Sequence, residues 1–170
     1  MQRMDEGGVD LGPRKKFAEV TAQNLLKHAR ISTAPVSLRQ VIEHLQSKTN
    51  LDVVGSQKFT EKVSGLLVVC KKADDEFVTI VFNENHPGCR RRFTLAHEIG
   101  HMLMRHGSCS EDGPASHAEK EANLFAGELL MPAKMLKKDL AATPDIPSLA
   151  KKYLVSAQAL SIKLSTARLL

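Results

Sequence analysis

The sequence is poor in the residues that stabilise secreted or membrane-spanning proteins. It has no tryptophan, one tyrosine and three cysteines, and aromatic residues make up 4% of the chain. The cysteines (Cys70, Cys89 and Cys109) are odd in number, widely spaced and without a CxxC pair, which argues against a disulfide framework and a cysteine metal site. No apolar run approaches the roughly 20 residues that cross a bilayer, and MQRMDEGGVD lacks the apolar stretch of a signal peptide. We therefore expect a cytoplasmic protein.

The remaining composition is that of an ordinary globular domain. Hydrophobic residues make up 42% and charged residues 25% of the 170 positions, so the chain can bury one sizeable core. The net charge of +5 comes from 24 basic residues scattered among 19 acidic ones, and this balance does not by itself indicate a nucleic-acid partner. We predict a flexible tail over residues 1–13, a main domain over 14–138 and a helical subdomain over 139–170.

The apolar patterning predicts an α+β fold. Phe17, Val20 and Leu25 recur at helical spacing in a first helix over 14–30, and Ser37 is placed to cap a second helix. The segments LDVVG, VSGLLVVC and FVTIVFN are rich in β-branched residues and predict a small antiparallel sheet.

The second half of the chain is predicted to be helical. One helix should begin near Arg90 or Arg91 and end near His106, and GSCSEDGP is then a loop by composition. Ser116 can cap the next helix, which should last until Met131 because Pro132 starts another. Two short helices follow, with Ser148 and Ser156 near their starts.

The HEIGH segment indicates a catalytic metal site. A helix turns about 100° per residue, so His97 and His101 share one face and can hold one ion between them. Glu98 stands at the edge of that face, beside the ion rather than on it. A base in that position can take a proton from the attacking water of a metal-assisted hydrolysis.

A third protein ligand is needed, because a catalytic zinc ion usually has three and leaves the fourth position open. The carboxylates that compete for this role are Glu119, Glu121 and Glu128, and His117 is a further alternative. On a helical wheel, Glu119 shares a small or apolar face, whereas Glu121 and Glu128 point away from it. A carboxylate on an inward face is costly unless it is paired or binds a metal, which favours Glu119. The face consists of Ala122, Asn123, Ala126, Leu129 and Leu130.

Further polar residues near the motif have possible roles. Asn123 lies one turn after Glu119 and can hydrogen-bond to a ligand imidazole. His86, His106 and His117 could each stabilise an oxyanion, although the sequence favours surface positions for all three.

FTLAHEIGH (93–101) and EKEANLFAGELLMP (119–132) resemble the two hallmark motifs of the ImmA/IrrE family of metallopeptidases, and the likeness extends over residues 35–170. It implies a minimal thermolysin-like (gluzincin) fold, with an HExxH helix and a glutamate helix followed by a short C-terminal, helix-turn-helix-like subdomain. It also implies a Zn²⁺ or Mn²⁺ ion on His97, His101 and Glu119, with Glu98 as the catalytic residue.

The resemblance also implies a function. Regulatory members of the family cleave a helix-turn-helix repressor and thereby switch on mobile-element or stress genes, so we expect a zinc-dependent endopeptidase with such a protein substrate. The alternative is a regulator that binds DNA or a partner and keeps the metal only for folding. LAKKYLVSAQAL resembles part of a helix-turn-helix, where Lys151, Lys152 and Lys163 could contact phosphate. No membrane partner is expected.

Overall fold

The computed structural model describes residues 13–106 and 116–169. Helices surround one face of a small sheet, so the fold is α+β as predicted. Across the described residues the elements are α1 (Lys15–His28), α2 (Leu38–Gln46), β1 (Asn50–Ser56), β2 (Gly65–Lys72), β3 (Asp75–Asn83), α3 (Gly88–Leu103), α4 (His117–Leu130), α5 (Ala133–Ala142), α6 (Ile146–Tyr153) and α7 (Ala157–Thr166).

The sheet is mixed rather than antiparallel, which corrects the prediction. Its strand order is β1-β3-β2. Strands β2 and β3 form an antiparallel hairpin in which Leu67 faces Ile80, whereas β1 pairs parallel to β3, with Val53 opposite Ile80. The short turn between β2 and β3 fixes the hairpin. Because β1 pairs with the side of β3 opposite to β2, the strand that contains FVTIVFN is central. Nothing in the sequence specified this placement of β1.

The helix boundaries follow the predicted ones except in α3, which begins at Gly88 and ends at Leu103, two or three residues before the predicted Arg90 or Arg91 and His106. The Ser116 hydroxyl accepts a hydrogen bond from the Glu119 backbone N–H at the start of α4, and Pro132 precedes α5. Ser156 caps α7, and Ser148 lies near the start of α6 as predicted, where Asp145 is the cap. The side chains of Ser, Thr and Asp at such positions satisfy backbone N–H groups that have no partner within the helix.

Helix α4 is buried on both faces, which the helical wheel alone did not predict. It packs against α3 and α1, and α7 also contacts it. The prediction placed Glu121 and Glu128 off the face of Glu119 without saying what covers them, and both are buried, each 2% exposed. Both are paired there with basic side chains, as buried carboxylates must be.

The amphipathic face of α1 is also shifted from its predicted position. Ala18, Ala22 and Leu25 are buried, but Phe17 is 45% exposed, and the Arg14 guanidinium lies 4.6 Å from the centre of its ring. Val20, likewise predicted for the inward face, is exposed.

One hydrophobic cluster joins the sheet to the seven helices that the structure describes. Helix α5 contributes one buried side chain to it, that of Leu136. Leu160, Leu164 and Tyr153 of the last two helices belong to this cluster. In the described ranges, no helix has the length and apolarity that crossing a bilayer requires. The tail predicted over residues 1–13 lies outside the described residues except for Pro13, and so does the whole GSCSEDGP loop (107–114) with Cys109. The domain boundary predicted after residue 138 stays a prediction.

Candidate metal centre

Helix α3 places two imidazoles side by side at the mouth of a cleft. His97 and His101 lie one turn apart, and their Nε2 atoms are 2.9 Å from each other. Their side chains are 16% and 13% exposed. The helical spacing read from the sequence thus produces a common face in the folded protein.

Helix α4 brings Glu119 to the same point. Its Oε2 lies 3.2 Å from His97 Nε2, and its Oε1 lies 3.1 Å from His101 Nε2. Of the other two carboxylates considered for this position, Glu128 bonds instead to Lys163 and Gln23, and Glu121 bonds to Arg14. His117 is half-buried at the first turn of α4. The described residues therefore bring together the set His97, His101 and Glu119.

The chemistry of these donors fits a divalent metal. One donor atom from each of the three side chains can be chosen so that all lie within 4.8 Å of one another. Ligands that each lie roughly 2.0–2.2 Å from a tetrahedral zinc ion are separated from each other by about 3.3 Å, close to the separations seen here. Two imidazoles and one carboxylate also leave a coordination position open, the pattern of catalytic rather than structural zinc sites.

Asn123 contacts the outer nitrogen of one of these imidazoles, as predicted. Its side-chain oxygen lies 3.0 Å from His97 Nδ1. Because an amide oxygen can only accept, Nδ1 must carry the proton, and the lone pair of a neutral His97 then lies on Nε2. Asn123 thereby orients His97 toward Glu119 and His101.

The charges of the cluster alter its pKa values in opposite directions. Burial acts to lower the pKa of His97, but the hydrogen bond and charge of Glu119 outweigh it and the pKa is raised. Burial and the neighbouring His97 lower the pKa of His101 to about 4. The hydrogen bond with His97 lowers the pKa of Glu119. Glu119 thus favours a positive charge on His97, whereas burial and His97 disfavour one on His101.

Glu98 lies beside this cluster, in a cleft of about 620 Å³ that Glu119 and Asn123 also line. Burial raises the pKa of Glu98, opposed by His97 and supported by the charge of Glu119. The opposite wall begins at Gly65, the first residue of β2. A Cβ on Gly65 would stand 2.5 Å from Thr94 Cγ2 and 3.3 Å from Glu98 Oε1, so a larger residue there would press on α3.

Two histidines expected at the surface are buried instead. His86 is 7% exposed and bonds through Nε2 to the Glu61 carbonyl oxygen. The His106 side chain is also 7% exposed, and it contacts both His101 and Glu121. Sequence reasoning missed this contact because a helical wheel does not show which element covers the side of α4 that carries Glu121. The signal available was a third histidine five residues after HEIGH, close to the end of the same helix.

Comparisons with known proteins identify the fold and the family. A comparison with curated protein sequences gives no match. Among solved structures, a Mycobacterium tuberculosis transcriptional regulator matches with a TM-score of 0.66 and 15% identity, over 88% of this chain and 46% of that one. The present chain thus spans about half the length of that protein, and the likeness concerns the fold. The model of the Peptidase_M78 family, described as the IrrE N-terminal-like domain, matches residues 59–165, which include both motifs. The chain therefore belongs to the Peptidase_M78 family.

Proposed function

We propose that the chain is a zinc-dependent endopeptidase, with manganese as a possible substitute metal, and that it cleaves a helix-turn-helix repressor. Family membership suggests a metallopeptidase. The observation that carries the proposal is the convergence of His97, His101 and Glu119 in an open cleft, with Glu98 beside them. A purely structural metal site would not need an adjacent carboxylate or an open side.

The mechanism follows from the positions of these side chains. A zinc ion, when bound, would polarise the peptide carbonyl and lower the pKa of a water molecule toward about 7. Glu98 accepts the proton of the attacking water and passes it to the nitrogen of the leaving amine as the peptide bond breaks. Its raised pKa suits both steps, since the carboxyl group must take up a proton and give it back near neutral pH.

The substrate chain is best placed along β2. The FVTIVFN segment cannot take an added strand, because β3 is the central strand of the sheet and both its edges are paired. Strand β2 has one free edge among the described elements, and residues 62–65 border the cleft opposite His97 and Glu98. An extended peptide could add to this edge through main-chain hydrogen bonds.

The substrate class rests on the resemblance to regulatory members of the ImmA/IrrE family. The solved structure of similar fold is named as a transcriptional regulator, which supports a role in gene control. A repressor of this kind would be met in the cytoplasm, the compartment expected from the sequence.

The test mixes the zinc-loaded protein with any helix-turn-helix protein that is encoded beside its gene and follows fragments by mass spectrometry. Wild type should produce discrete fragments, and Glu98→Gln should produce none while still binding zinc. Glu43→Gln, which changes an exposed carboxylate on α2, is the matched control and should cleave as wild type does. Equal fragments from wild type and Glu98→Gln, or none from wild type, would contradict the proposal.

A second function, DNA binding through α6 and α7, has less support. Of the three lysines considered for phosphate contacts, Lys163 is buried against Glu128 and Lys152 bonds to Asp139. Under this alternative, Glu98→Gln would keep the biological effect and DNA affinity would fall steeply with salt.

A further inference from the structure

A series of part-buried hydrogen bonds runs from the proposed metal ligand His101 to the start of α1. His101 Nδ1 lies 3.0 Å from His106 Nδ1, and His106 Nε2 lies 2.9 Å from Glu121 Oε2. Glu121 accepts two kinds of hydrogen bond from Arg14. The guanidinium Nη2 lies 2.8 Å from Oε2, and the backbone nitrogen lies 2.7 Å from Oε1. These hydrogen bonds lie behind the cleft, on the side of His101 that faces away from Glu119.

The donor and acceptor of each hydrogen bond in this series can be assigned by starting from Arg14. Glu121 accepts hydrogen bonds on both carboxylate oxygens from the guanidinium and backbone N–H groups of Arg14, which can only donate, so in this ion pair its oxygens act as acceptors. His106 must therefore donate from Nε2, which leaves the lone pair of its neutral ring on Nδ1. His101 then donates from Nδ1 to His106, and its own lone pair lies on Nε2, the atom that faces His97 and Glu119.

The local sequence explains why His106 lies over His101. Arg105 has a positive φ of 53° just after α3, the Arg105 N–H bonds to the Met102 carbonyl, and the His106 N–H bonds to the His101 carbonyl. These two hydrogen bonds form a Schellman motif, which turns the chain back over the last helical turn. The motif directs the His106 ring toward Glu121 on α4.

We propose that His106 and Glu121 are positioning residues that hold His101 in the tautomer with its Nε2 lone pair directed at the metal. The inference rests on the proposed function, since it requires an ion on His97, His101 and Glu119. Asn123 does the same for His97, so each imidazole ligand has its own acceptor. Such outer partners fix the ring orientation and raise the basicity of the ligand, and their loss typically costs about 10–100-fold in metal affinity.

The test measures zinc affinity by competition with a chelator. His106→Phe removes both ring nitrogens and should weaken zinc binding by about 10–100-fold. Glu121→Gln keeps the volume but removes the charge, and it serves as a second variant if His106→Phe does not fold. Arg105→Gly, which suits the positive φ and keeps His106 in place, is the control and should bind zinc as wild type does.

A spectroscopic readout separates positioning from a general loss of stability. Long-range ¹H–¹⁵N correlations of the zinc-loaded, histidine-labelled wild type should show His101 protonated at Nδ1, and the resonance of that proton should shift in Glu121→Gln. If both variants bind zinc within about threefold of wild type, the inference is wrong while the proposed function stands. If wild type binds no stoichiometric zinc, the proposed function itself fails and this inference fails with it.

Discussion

The two carboxylates of the cleft have different environments, which suit them to different roles. Burial raises the pKa of Glu98, whereas the hydrogen bond with His97 lowers the pKa of Glu119. A group that holds a proton readily can transfer one, and a group that stays ionised can bind a cation. Burial and hydrogen-bond partners, rather than residue type, therefore suit Glu98 to the proposed role of base and Glu119 to that of metal ligand.

Shortening the side chain at position 98 tests whether catalysis depends on where the carboxylate lies as well as on its presence. Glu98→Asp keeps a carboxylate but withdraws it by one methylene, and a displacement of about 1 Å in a catalytic group can lower the rate by about 100-fold. We expect initial cleavage rates to fall by that order while zinc stoichiometry is unchanged. A rate within about threefold of wild type would mean that Glu98 does not contact the attacking water.

At the scale of elements, the site depends on how closely α3 and α4 approach each other. Gly100 lies between the two histidines and faces Phe125, and a Cβ added to it would stand 2.9 Å from Phe125 Cδ1. Phe125 is fully buried, and a ring in a close-packed interior cannot move aside without disturbing its neighbours. Gly127 offers a contrast in the facing helix, because its Cβ would meet only Lys163 Cδ at 3.9 Å.

Alanine at these two glycines should therefore have opposite effects. Alanine gains about 1 kcal/mol over glycine within a helix, but crowding a packed core costs about 1–3 kcal/mol. We expect Gly100→Ala to lower the free energy of unfolding by about 1 kcal/mol and Gly127→Ala to raise it by up to about 1 kcal/mol, as measured in urea. A stabilised Gly100→Ala would show that the helices are not in close contact.

Helices α5 and α6 are joined by a polar contact that acid should weaken. Asp139 accepts hydrogen bonds from Lys152 at 2.7 Å and from the Tyr153 hydroxyl at 2.8 Å, and the bond from Lys152 lowers its pKa below 3.8. A lowered folded-state pKa stabilises the fold above the unfolded-state value, and this contribution is lost as pH falls through the folded-state value.

The corresponding variant is Asp139→Asn. Wild type should be more stable than Asp139→Asn in urea at about pH 6, and the difference should shrink as the pH falls below about 3.5. A difference that stays constant across this range would mean that the charge on Asp139 contributes nothing to folding.

At the scale of the molecule, Glu128 connects four helices. Its carboxylate accepts from Lys163 Nζ of α7 at 2.5 Å and from Gln23 of α1 at 2.8 Å, and the Ala133 N–H at the start of α5 lies 3.4 Å away. Glu128 is 2% exposed and the Lys163 side chain 9%. The C-terminal helix is thus held to the helix that carries Glu119.

Removing one member of this ion pair should lower the free energy of unfolding more than removing both. Lys163→Met leaves a buried carboxylate without its cation and should cost about 3–5 kcal/mol of unfolding free energy, whereas apolar replacement of both partners is often neutral. We expect the double variant Glu128→Met with Lys163→Met to recover most of the loss in denaturant unfolding. Equal losses in the single and double variants would mean that the ion pair is not what Lys163 contributes.

How far the sequence predicts this molecule depends on the range of each interaction. Helical periodicity is local, so the spacing of His97 and His101 and the face of Glu119 could be read directly. The caps at Ser37, Ser116 and Ser156 are local as well.

The features that the sequence did not predict depend on packing between distant elements. A helical wheel shows which residues share a face but not which helix covers it, so the burial of Glu121 and Glu128 beneath α1 and α7 was missed. The parallel pairing of β1 with β3 joins strands that are separated by the hairpin partner β2, and no local signal encodes that choice. The hydrogen bonds from His101 to Arg14 were hidden for the same reason.

The metal content of purified variants tests the central claim most directly. After dialysis against zinc and then against buffer, elemental analysis should find about one zinc ion per chain in wild type and Glu98→Gln. His97→Ala and Glu119→Ala should bind none, because each removes one of the three ligands that hold the ion. No stoichiometric ion in wild type, or an undiminished ion in His97→Ala, would contradict the account.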